Sequence, residues 1–196
     1  MASFFSRNGS ADAGCLLRNQ WKRAGNRGFS IIEIIIVLAI GVIMLTGAVI
    51  SYRATMPDNR LRQATTELHG ALNLARVSAL SQNATMTLQL AGASSSIAGA
   101  NVTVTGTPGT PITMTLTSSA GGTLITGQPL TPEVVSITIS PGTGAPVQPR
   151  VQFNSYGLHV GGGTQVVTLT NTIGRVYSIN VAAGGKAKWC LAPACP

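Results

Sequence analysis

Glu33 is a lone carboxylate inside an apolar run that occupies residues 29–51. About 20 apolar residues suffice to cross a bilayer as a helix. An acid placed inside such a segment costs roughly 2.5–3.5 kcal/mol on insertion scales, which makes it a functional candidate by default. The chemistry open to it is ion pairing, because a charge in an apolar setting is costly until a partner balances it. A second candidate is Gly185-Lys186-Ala187-Lys188-Trp189-Cys190. In an extended chain Lys186 and Lys188 project from one face, and Ala187 and Trp189 from the other. Ammonium groups about 7 Å apart can meet neighbouring phosphates of a nucleic acid. Two solvated lysines on an edge strand, discouraging strand-to-strand aggregation, are the competing reading. Arg175, with Tyr177 two residues on, is placed to extend the basic surface.

Catalytic constellations are absent from the sequence. Beyond residue 28 the acids are Glu33, Asp58, Glu67 and Glu133, and the histidines are His69 and His159. His69 is expected to be exposed or packed against a sheet, and His159 to be a partly buried strand residue. No nucleophile with a nearby base, no phosphate-cradling Gly loop ahead of a helix and no metal-ligand spacing is present. Neither a cofactor nor a metal is expected, and the chain does not read as an enzyme.

These side chains need positioning elements. At 196 residues the chain allows one domain plus an anchor. Arg7, Arg18, Lys22, Arg23 and Arg27 against Asp12 give residues 1–28 half of the chain's net +8. Basic residues stay cytoplasmic, so this flank sends the remainder outward; Arg53, Arg60 and Arg62 reduce that asymmetry without reversing it. Cys15 then faces the reducing cytoplasm. Cys190 and Cys195 fall on the outer side, where disulfides persist, so a small bridge pinning the tail and two free thiols are the alternatives. An ordinary signal anchor and a secretory signal peptide are the other readings of the N-terminus. The peptide fits poorly, since its apolar region should be about 7–15 residues long.

After the apolar run, Pro57 should kink or interrupt a helix. Leu61, Ala64, Leu68, Ala71, Leu72, Ala75 and Ala79 then recur at three- and four-residue spacing and mark one apolar helix face, with Arg62, Thr66, Asn73 and Arg76 pointing elsewhere. The helix should end near Gln82 and Asn83. From Thr85 the period becomes two: Met86, Leu88 and Leu90 alternate with polar neighbours, as a half-buried strand requires. Further strands are predicted at 112–117, 134–140, 165–170 and 176–181, with shorter ones at 102–104, 151–153 and 187–190. Turn-rich pieces at 91–100, 106–109, 141–149, 161–163 and 183–185 separate them. One antiparallel sheet, or two small ones, packed on the helix is the natural solution.

Arg27-Gly28-Phe29-Ser30-Ile31-Ile32-Glu33, continued by Ile34-Ile35-Ile36-Val37-Leu38-Ala39-Ile40, resembles the processing signal of type IV pilins and type II secretion pseudopilins. The resemblance implies that a prepilin peptidase cuts after Gly28, where a residue without Cβ admits the backbone to a narrow site, and methylates the new amino terminus at Phe29. It implies that Glu33 meets the freed amino terminus of a neighbouring subunit in a filament. Asn59-Arg60-Leu61-Arg62, Leu72-Asn73-Leu74-Ala75-Arg76, Ala79-Leu80-Ser81-Gln82-Asn83, Phe153-Asn154-Ser155-Tyr156-Gly157 and Gly174-Arg175-Val176-Tyr177-Ser178-Ile179 resemble the FimT/GspH group of minor pilins and H-type pseudopilins.

That resemblance implies an α+β pilin fold: a long N-terminal helix, transmembrane in its first half, packed on a β-rich antiparallel head. The expected organisation is a cytoplasmic leader at 1–28, a transmembrane and filament-core helix at 29–52, its amphipathic continuation at 53–83 and a periplasmic head at 84–196. The protein is then single-pass in the bacterial inner membrane and later part of a filament, with other minor and major pilins or pseudopilins as partners. FimT-type pilins linked to DNA uptake carry Gly-Arg-x-Arg near the C-terminus. Gly185-Lys186-Ala187-Lys188 is similar with Lys in both Arg positions, which keeps phosphate attraction but loses the guanidinium fork. Pilus assembly with non-specific DNA contact is the first expectation, and the H pseudopilin of a type II secretion system is the alternative.

Overall fold

The computed structural model describes residues 29–140 and 148–191, apart from the side chains of 48–50 and 53–54. Cys15, Gly28, Cys195 and most of the 141–149 loop lie outside the described residues. Two compact units divide the chain, Met1–Ala48 and Val49–Pro196.

Helix α1 (Ile31–Gln82) starts in the first unit. The Ser30 carbonyl accepts from the amides of Glu33 at 3.0 Å and Ile34 at 3.2 Å, so Ser30 opens the helix and Glu33 sits in its first turn. The helix dipole favours negative charge there. Ile31, Ile32, Ile34, Ile35, Ile36, Val37, Leu38 and Ile40 are all exposed, and consecutive positions cover every side of a helix. Among the described residues no helix is long and apolar enough to cross a membrane. Within this run the side chains of residues 48–50 lie outside the description.

In the second unit all seven residues of the apolar helix face, from Leu61 to Ala79, are buried. Thr65 joins them by donating its hydroxyl to the Leu61 carbonyl at 2.8 Å. The expected interruption at Pro57 does not occur, since α1 runs through it. A helical proline costs about 3 kcal/mol. Burial of Leu61, Leu68 and Leu72, at roughly 1.5–3 kcal/mol each, offsets that cost. The helix ends as its sequence predicts: Asn83 adopts φ 48°, and the Ala84 amide reaches back to the Ala79 carbonyl at 3.2 Å. That is the αL stop of a Schellman motif.

Among the described residues ten strands follow: β1 (Met86–Ala91), β2 (Ser94–Ala98), β3 (Asn101–Thr105), β4 (Thr113–Ser118), β5 (Thr123–Pro129), β6 (Val134–Ser140), β7 (Arg150–Phe153), β8 (Gln165–Asn171), β9 (Val176–Val181) and β10 (Ala187–Cys190). They form two antiparallel sheets, ordered β5-β4-β1-β7 and β10-β9-β8-β6-β3-β2. Leu61, Leu68 and Leu72 of the helix share one core with Leu88, Leu116 and Phe153 of the first sheet and Ile137, Leu169 and Ile179 of the second. The architecture is therefore α+β, an N-terminal helix followed by an antiparallel β head.

Two strands arise where the sequence pattern predicts none. β2 lies inside the 91–100 turn-rich piece, and β5 lies in a stretch without alternation. Both are edge strands. β2 is exposed at every position and β5 at all but Ile125, so neither needs the apolar alternation that betrays a half-buried strand.

Candidate functional site

The first unit places Phe29, Glu33, Ile34, Val37 and Leu38 around one apolar groove of about 290 Å³ on the helix surface. Phe29 is three-quarters exposed, and Glu33 is exposed among exposed aliphatic side chains. A carboxylate beside such a groove suits an incoming cation that arrives with apolar cover. Gly28, the expected cleavage residue, lies outside the described residues.

The second unit assembles the basic segment on the β9–β10 hairpin. The Gly185 amide donates to the Ala182 carbonyl at 2.8 Å, and the Ala182 amide donates to the Lys186 carbonyl at 2.9 Å. Gly185 adopts φ 77°, as a hairpin turn with an αL bulge residue requires. The turn is clamped from outside. A Cβ at Gly185 would lie 2.0 Å from the Gly157 carbonyl oxygen, and Arg76 Nε donates to that same oxygen at 3.2 Å. The His159 amide donates to the Ala183 carbonyl at 3.1 Å. Three segments far apart in the chain thus meet at one node: Arg76 of α1, the turn ending in Gly157, and Gly185.

Beyond that node Lys186 and Lys188 are exposed and line a pocket of about 290 Å³ with Thr164, Asn180 and Ala182. The opposite face of β10 is packed. Ala187 is half-buried against the core, and its carbonyl accepts from His69 Nε2 at 3.1 Å. Trp189 stacks obliquely on Tyr177, with ring centres 6.0 Å apart, while the Arg62 guanidinium lies 5.8 Å from the Trp189 ring. Arg62 and Arg76 lie off the buried helix face, yet both reach across to the β10 region. The lysine face and the tryptophan face are therefore separate, as the alternation of an extended strand requires.

Arg175 is not brought beside the lysines. It precedes β9 at the end opposite the hairpin, whereas Lys188 pairs with Asn180. Five residues at about 3.3 Å each put the two backbones roughly 17 Å apart along the strand. Cys190 is disulfide-bonded, and Cys195, its expected partner, lies outside the described residues. His159 is buried, with Nδ1 3.2 Å from the Gly163 carbonyl and Nε2 2.9 Å from Gln165 Oε1. Among the described residues no group of three metal-ligating side chains converges.

What sequence reasoning missed is the Arg76–Gly157–Gly185 node. Its only sequence signals are two glycines at the ends of turns, and nothing local says that they face each other.

Residues 64–185 match the family model described as type II transport protein GspH. Residues 23–49 match the model described as the prokaryotic N-terminal methylation motif. No curated protein matches the chain. Among solved structures it is similar to the type IV minor pilin FimU of Pseudomonas aeruginosa strain PAO1 in two crystal forms. In space group P21 the identity is 16%, covering 67% of this chain and 88% of that one, with a TM-score of 0.36. In space group P65 the identity is 15%, covering 66% and 91%, with a TM-score of 0.37.

Proposed function

The chain belongs to the GspH family, and on that footing we propose that it is a minor pilin made as an inner-membrane precursor. Residues 1–28 stay cytoplasmic, prepilin peptidase cuts after Gly28 and methylates Phe29, and the head faces the periplasm. The mature subunit then enters a filament at or near its tip, beside other minor and major pilins. One observation carries this reading: Glu33 occupies the first turn of a helix whose apolar side chains are exposed on every side. A helix that is hydrophobic all round needs cover. Lipid supplies it before assembly, and neighbouring helices supply it afterwards. Within that cover the Glu33 carboxylate balances the Phe29 ammonium of an adjoining subunit.

The mass of the native amino terminus tests the processing step, and a chain beginning at methylated Phe29 is expected. Glu33→Gln should be cleaved normally and yet fail to enter filaments. Normal incorporation of that variant, or retention of residues 1–28 in the mature protein, would end the proposal.

In such a filament Lys186 and Lys188 contact DNA phosphates without reading sequence. Affinity should fall linearly with salt on logarithmic axes, and Lys186→Ala with Lys188→Ala should reduce the slope by about 2, one phosphate contact per residue. Arg175, at the far end of β9, should contribute less. Absence of DNA binding at low salt would leave the second reading, which the description of the matching family favours. In that reading the chain is the H-type pseudopilin of a type II secretion system, and its head contacts other pseudopilins of the tip.

A further inference from the structure

Among the described residues the two sheets have four edges, and three of them are guarded. On β10 the guard is Lys188, a charged residue of the kind that blocks edge-to-edge pairing. β5 carries Gly127 at φ 54° and ends at Pro129, and its ladder with β4 shifts register twice. β7 has only four residues, begins with Arg150, and is covered on its outer side where the Val160 amide donates to the Gln152 carbonyl at 2.9 Å. The fourth edge, β2, has none of these devices. Its register with β3 is unbroken from Ser94 to Ala98, all five side chains are uncharged and exposed, and no strand among the described residues pairs with its outer side. No Lys, Arg, Asp or Glu occurs between Arg76 and Glu133 in the sequence.

The register of the six-stranded sheet adds a second observation. Ile97 pairs with Val102, Val102 with Ile139, Ile139 with Val167, Val167 with Ile179, and Ile179 with Trp189. Cross-strand partners point to the same face, so these six side chains form one continuous row. The four inner members are at most 1% exposed. The Trp189 end is 38% exposed, with Arg62 over its ring and Tyr177 packed against it. At the other end Ile97 is 66% exposed. The row stops at an uncovered aliphatic side chain on the unguarded edge.

We propose that the outer edge of β2 is a docking site for an extended, uncharged strand of another protein, which continues the sheet and sets an aliphatic side chain beside Ile97. Main-chain hydrogen bonds supply the pairing, and the row supplies the register, as in other cases of strand addition to a sheet edge. A second copy of this chain fits the edge poorly. Two-fold antiparallel pairing centred on Ser96 sets Ile97 against Ser95 and breaks the row. Centring on Ile97 keeps the row but sets Ser95 against Gly99, whose φ of 62° is not extended, so only residues 96–98 overlap. A foreign strand satisfies the whole edge and the row together.

The test uses the full chain in detergent micelles and the peptide acetyl-Thr-Val-Thr-Val-Thr-amide, which is uncharged and aliphatic at alternate positions. Hydrogen exchange followed by mass spectrometry should show amide protection within residues 94–98 that saturates with peptide. The same peptide with N-methylated backbone amides on one side should give none. Ile97→Lys should weaken binding at least about tenfold, since it buries an unpaired charge against the new strand. Ile97 is largely exposed, so an unchanged urea midpoint is the check that this variant still folds. Lys186→Ala with Lys188→Ala should leave the protection of residues 94–98 by the peptide unchanged, which separates this site from any nucleic-acid surface and from the β10 edge. No protection at millimolar peptide, or equal binding by Ile97→Lys, would overturn the proposal. So would a concentration-dependent dimer that Ile97→Lys dissolves, because the occupant would then be a second copy.

Discussion

Gly184 and Gly185 are neighbours in one hairpin turn, yet they should respond very unequally to the same change. Gly185 adopts φ 77°, a region that costs a residue with Cβ about 1–2 kcal/mol. Its added Cβ would also lie 2.0 Å from the Gly157 carbonyl oxygen, which is backbone and must itself move. Relief requires the hairpin to part from the Gly157 turn, disturbing the bond from Arg76, and overpacking of this kind costs about 1–3 kcal/mol. Gly185→Ala should therefore lose about 2–5 kcal/mol, a large share of the roughly 5–15 kcal/mol that holds a domain folded. With a urea dependence of about 2 kcal/mol/M, the midpoint should fall by about 1–2.5 M. At Gly184 no atom lies within 4 Å of the added Cβ and φ is not positive, so Gly184→Ala should stay within about 0.5 kcal/mol of the parent. Urea titration of the full chain in micelles, followed by tryptophan fluorescence, measures both, because Trp189 packs on Tyr177 next to the hairpin. A Gly185→Ala midpoint within about 0.3 M of the parent would mean that the hairpin is not held against Gly157. Equal losses at the two glycines would mean that the turn tolerates no side chain for some reason other than this contact.

The same titration reads two other positions. Leu72→Ala removes a side chain that is 1% exposed and shared by the helix and sheet core, so a loss of about 2–5 kcal/mol is expected. Asn83→Gly puts the residue with no αL penalty where φ is already 48°, so it should be neutral or stabilise by up to about 1 kcal/mol; a clear loss would show that the Asn83 side chain itself matters.

Sequence alone determined the elements whose two sides face different environments. Seven helix residues from Leu61 to Ala79 repeat at helical spacing, and all seven are buried, because one stripe must meet the core while the rest meets water. β1, β4, β6, β8 and β9 were legible for the same reason at period two. The stop at Asn83 and the acid in the first turn of α1 were local signals and needed nothing further. Only tertiary structure decided what distance in the chain conceals. β2 and β5 are edge strands with little burial, so nothing in their composition had to alternate. Their existence follows from the partners that β3 and β4 present. Likewise the meeting of Arg76, Gly157 and Gly185, the separation of Arg175 from the two lysines, and the uncovered end of the row at Ile97 are properties of register. Register is set by which strands pair and where, and a single strand's sequence specifies its faces but not its neighbours.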